Sequence, residues 1–105
     1  MKKLITLALT AAISSYSYSS LALQNCIEIS ELAAGTMAAR QSGADAVQVI
    51  EIFKTSFEEV DNAFYEASII MVLHAYSEPK FNTRSYQQNA INEFKNQYFL
   101  ECMNQ

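Results

Sequence analysis

Between Ser56 and Pro79 the chain reads SFEEVDNAFYEASIIMVLHAYSEP, its longest body of apolar positions outside the first 22 residues. Phe57, Val60, Phe64, Ser68, Met71 and Ala75 recur at steps of three and four, so they share one helical face. Ser56 with Glu59 has the spacing of a capping box, and Glu58, Glu59 and Asp61 suit the positive end of a helix. Ile69 to Leu73 is apolar on every side, which predicts burial all round. Pro79 stops the helix, because the residue before a proline is pushed out of helical geometry. The pattern thus predicts a central helix over 56–79.

A first helix is expected over Cys26–Gln41, with Cys26, Ile29, Ala33 and Met37 as its apolar stripe. Gly43 follows it as a left-handed stop. The segment Asp45–Lys54 carries two signals. Asp45 and Gln48 have capping-box spacing, whereas Val47, Val49, Ile50 and Ile52 are β-branched and suit a strand. A short helix is expected, because a lone strand would leave its backbone unpaired. Thr55-Ser56 would then break the chain before the central helix. Residues 78–83 (EPKFNT) read as a loop, and Asn82 or Thr83 as the cap of a last helix from Arg84 to about Met103. Its stripe is Gln87, Ile91, Phe94, Tyr98 and Cys102. The expected fold is all-α, a small bundle of three or four helices in one domain over 23–105.

The first 22 residues read differently. Lys2 and Lys3 precede an apolar run from Leu4 to Ile13, then a small polar stretch ending in Ser20-Leu21-Ala22. That is the plan of a secretory signal peptide cut after Ala22; the alternative is an uncleaved amphipathic anchor. The run is shorter than the roughly 20 residues a membrane span needs, so no stable membrane anchor is expected after cleavage. Leu23-Gln24-Asn25 before Cys26 lacks the small residue of a lipidation site. In an exported small domain, two cysteines near the two ends read as a disulfide, Cys26–Cys102. Both lie on apolar stripes, so the bridge would join the first and last helices. The expected location is periplasmic or secreted.

Charge narrows the function. Residues 23–105 hold five basic residues (Arg40, Lys54, Lys80, Arg84, Lys95) against eleven acidic ones, a net charge of −6. Nucleic acid and anionic membranes call for clustered Lys and Arg, so neither is an expected partner. His74 is the only histidine. With Tyr76 and Glu78 it makes a small proton-handling group, but His74 and Glu78 are also an ordinary helix pair four apart. No nucleophile is placed beside it, so no catalytic residue is assigned and no enzyme is expected. Metal ligands are not clustered, and no metal or cofactor site is expected.

The pieces Ala39-Arg40-Gln41 with Gly43, Ala75-Tyr76 with Pro79, Ala90-Ile91 with Phe94, and Tyr98 with Cys102 form a pattern ARQxG … AYxxP … AIxxF … YxxxC. This resembles a family of small, exported bacterial and prophage-associated helical proteins. The resemblance implies the helical fold and the bridge, and it brings no activity.

Some apolar residues fall outside the stripes. Phe99 and Leu100 lie about 100° and about 200° round from Tyr98. Tyr65, Ile69, Val72 and Tyr76 form a second strip on the central helix. Phe99, Leu100, Tyr65, Ile69 and Tyr76, with Tyr86, are therefore candidate anchors for another protein; alternatively the chain end unwinds and Phe99 or Leu100 turns inward. The expected function is a non-enzymatic protein-binding module of the inhibitor or immunity type. An acid- or stress-responsive periplasmic holdase is the alternative.

Overall fold

Ser20 to Asn25 (SLALQN) contains neither glycine nor proline, and its leucines, alanine and glutamine favour a helix. In the computed structural model, which describes residues 20–57 and 62–105, this stretch is already helical. Helix α1 spans Ser20–Ser42, α2 Ala46–Ser56, α3 Asn62–Ser77 and α4 Arg84–Met103, and the described residues contain no strand. The first helix thus begins six residues before Cys26, and Ala22 lies within its first turn. Most of the leader, residues 1–19, and Glu58, Glu59, Val60 and Asp61 lie outside the described residues.

The end of α1 follows from one glycine. Gly43 has φ of 91°, which a side chain resists. Its amide donates to the Arg40 carbonyl, and the Ala44 amide donates to the Ala39 carbonyl, both at 3.1 Å. These two bonds close a Schellman motif. Helix α2 then starts behind Asp45, whose backbone is extended but whose side chain makes no capping bond, so the expected box with Gln48 is not formed. The segment is nonetheless helical, as Val49 and Phe53 need one buried face.

The boundary between the second and central helices differs from the expectation. Thr55 and Ser56 are the last residues of α2, not a break, and the amide of the capping Phe57 donates to the Phe53 carbonyl at 2.8 Å. Phe53 and Phe57 stack one turn apart, with ring centroids 5.5 Å apart, and Phe57 meets Phe64 edge-on at 5.0 Å. Aromatic pairs four apart hold a helix together, which carries α2 through the serine. Ser56 therefore cannot cap the central helix, which starts at Asn62.

The core has two lobes. Ala33, Met37, Met71, Ala75 and Phe94 fill the larger one, between α1, α3 and α4. Val49, Phe53 and Val72 fill the smaller one, between α2 and α3. Leu32 and Tyr76 pack against both. Small side chains on α1 (Ser30, Ala33, Thr36) let its neighbours approach closely, and the Ser30 and Thr36 hydroxyls donate to carbonyls of their own helix. The all-round burial expected for Ile69–Leu73 does not occur. Met71 and Val72 are buried, but Ile70 is 64% and Leu73 58% exposed. Helix α3 has α1 and α2 on its inner flanks and nothing among the described residues over its outer side.

Helices α1 and α4 form the main antiparallel pair. A disulfide joins Cys26 to Cys102 at one end, with Cα atoms 5.5 Å apart. The other end is tied by polar side chains. Gln41, buried, donates through Nε2 to the Pro79 carbonyl at 2.9 Å and accepts the Phe81 amide at Oε1 at 2.8 Å. Arg40 Nε donates to the Glu78 carbonyl at 3.2 Å, and its guanidinium lies over the Tyr76 ring. Gln87 Nε2 donates to the Phe81 carbonyl at 2.8 Å. Thr83 caps α4, its hydroxyl accepting from the Tyr86 amide at 3.3 Å. Among the described residues the fold is thus an all-α bundle of four helices, with one disulfide joining the first and last of them.

Candidate functional site

Phe64 and Ala67 sit on α3 one turn from Ser68 and Met71, and this edge of α3 does not close against α4. The gap is an apolar cleft of about 280 Å³. Its α1 wall is Ile29 and Leu32, its α3 wall Phe64 and Met71, and its α4 wall Tyr98 and the bridged Cys102. A second lobe of about 480 Å³ lies beside it, reaching Phe57 and sharing Ile29, Leu32 and Phe64 with the first. Pockets for small ligands or anchoring side chains have this order of volume. Ser68 leaves no free hydroxyl proton here, because it donates to the Tyr65 carbonyl at 2.6 Å.

The disulfide fixes this cleft directly. Cys102 is one of its lining residues, and Cys26 is buried just below on α1. The polar groups at the rim are Glu101 and Gln105 in the first lobe and Asn25 and Glu28 in the second. None of the five basic side chains of the described residues lines either lobe.

The anchors expected from the sequence are dispersed. Leu100 is 57% and Tyr86 61% exposed, both on α4 but fourteen positions apart, or about 21 Å along a helix. Phe99, Tyr65 and Ile69 are half-buried. Tyr76 is committed internally: its hydroxyl donates to the Ala44 carbonyl at 2.5 Å and its ring packs against both core lobes. The cleft residues Ile29, Phe64 and Met71 were assigned to stripes by periodicity. Only the packing of α3 reveals that Phe64 stays 36% exposed beside an open gap.

His74 keeps different company from that expected. Glu78 approaches its Nε2 at 3.7 Å, but the closer polar partner is Tyr98, whose hydroxyl lies 3.1 Å from Nδ1. With the Nε2 proton turned towards Glu78, Nδ1 accepts and the phenol donates. The ring also packs on Phe94, with centroids 4.9 Å apart. Tyr76 points instead towards Ala44. The arrangement orients an imidazole between two helices, and no serine or threonine hydroxyl of the described residues is bonded to its ring nitrogens. Burial, and secondarily the Glu101 carboxylate, raise the Tyr98 phenol above its ordinary value. Among the described residues there is no group of three potential metal ligands and no free cysteine.

In comparisons with known proteins, no family model, no curated protein and no solved structure matches this chain.

Proposed function

We propose that this protein is an exported, non-enzymatic protein-binding module of the inhibitor or immunity type, acting in the periplasm or outside the cell. The observation that carries the reading is the open apolar cleft between α1, α3 and α4, held in shape by the disulfide. A disulfide persists in oxidising compartments, and no helix of the described residues is long and apolar enough to cross a membrane. A signal peptide ending at Ala22 fits this location. Cleavage there removes three residues of α1 and keeps Cys26. Protein extracted from the cell envelope should begin near Leu23 by mass spectrometry.

The reading is tested by capture from native envelope extract with wild type and Phe64→Ser. The wild type should retain a partner that the variant loses, while the variant keeps its helical circular dichroism and melts lower only by the lost Phe57 contact. Identical capture by both proteins would contradict it. One observation favours the second reading, a stress-responsive holdase: Ile70 and Leu73 form an exposed apolar ridge on α3. Protection of an aggregating client at neutral and acidic pH, sensitive to Ile70→Ser and Leu73→Ser, would select the holdase.

A further inference from the structure

From the cleft we infer the class of partner: a basic amphipathic helix, laying its apolar stripe along the groove with lysine or arginine on either side. The inference rests on the protein-binding reading and names what is bound. Two features point to it. The first is shape. The two lobes share Ile29, Leu32 and Phe64, so they lie side by side along one face, and both are open to solvent. A trough takes a row of side chains at helical spacing.

The second is charge. Glu101 stands on the rim of one lobe and Glu28 on the rim of the other, both exposed, and no basic side chain of the described residues lines the trough. A helix with cations flanking its apolar stripe meets a carboxylate in each lobe. Helix poles do not add to this, because the C-terminal end of α4 reaches the trough at Glu101 and Cys102 while the N-terminal end of α3 reaches it at Phe64. The same features disfavour other occupants. A second copy of this acidic chain would set carboxylate rim against carboxylate rim. An anionic lipid surface or an acidic peptide would meet the same repulsion.

The test uses the purified, disulfide-bonded protein and a fluorescently labelled synthetic helix with leucines on one face and lysines on the other. A twin peptide has glutamates in place of the lysines. Anisotropy should show the basic helix binding at least about tenfold tighter than its twin. Phe64→Ser should weaken it at least about tenfold. Glu28→Gln with Glu101→Gln, both surface changes that leave the fold intact, should weaken it by about threefold or more and reduce its salt dependence. Glu51→Gln on α2, away from the trough, should change nothing. Equal binding of both peptides would overturn the inference, as would basic-helix binding that survives Phe64→Ser, since that is attraction to net charge alone. Failure of both peptides to bind would also overturn it. The protein-binding reading falls separately, if Phe64→Ser still captures everything the wild type captures from native extract.

Discussion

Gln41 shows how one side chain can hold two helices and a loop. It is buried, and both ends of its amide are used on backbone groups of the loop that follows α3. Gln41→Leu would leave the Pro79 carbonyl and the Phe81 amide without their partner. Both bonds are only part-buried and Pro79 is exposed, so water can reach the freed groups, and thermal denaturation should show a loss of about 1 kcal/mol. A second residue-scale prediction concerns the phenols. Burial, then Glu101, raise Tyr98. Burial also raises Tyr76, against the lowering influence of Arg40 and with Asp45 adding to the rise. A raised value means that the folded state holds the phenolic proton more tightly than the unfolded chain. The stabilisation is therefore complete below the ordinary tyrosine value of 10.0 and is lost as pH climbs through the raised values. Urea melts between pH of about 8 and 11 should show stability falling above about 10. Tyr98→Phe with Tyr76→Phe should flatten that fall; an unchanged slope would contradict the assignment.

At the scale of elements, the stops were the most legible part of the chain. Gly43 ends α1 as its backbone freedom demands, Pro79 forces an end to α3, and Thr83 starts α4 with its own hydroxyl. These signals are local, so a sequence shows them directly. The break at Thr55-Ser56 misled, because a serine followed by Glu59 satisfies the capping rule locally. The deciding contact, Phe57 tilted against Phe53 and edge-on to Phe64, depends on how two helices meet. The pattern ARQxG … AYxxP also has a physical basis. Arg40 and Gln41 bond the carbonyls of Glu78 and Pro79, so the two pieces meet in space. The disulfide belongs to this scale as well, because it fastens the opposite end of the same helix pair. Cys26→Ala and Cys102→Ala should each lower stability by about 2–5 kcal/mol, and equally, since either removes the same bridge. Chemical denaturation under oxidising conditions measures this, and a midpoint unchanged from wild type would refute it.

For the whole molecule, the all-α class and the pairing of first and last helices were readable from stripe and cysteine positions. The site was not. Periodicity assigns Phe64 and Ile29 to inward faces and cannot tell a closed interface from one that stands open. Likewise Ile70 and Leu73 read as interior, and they are exposed because none of the three other described helices covers that side of α3. The proposed binding site is the trough that carries Glu28 and Glu101 on its rim and the bridged Cys102 in its wall. Amide chemical-shift mapping tests this most directly. On adding the basic amphipathic helix to isotopically labelled protein, the largest shifts should fall at Ile29, Leu32, Phe64, Met71, Tyr98 and Cys102. Shifts centred instead on Ile70 and Leu73, or on Tyr86, would place binding elsewhere and contradict the account.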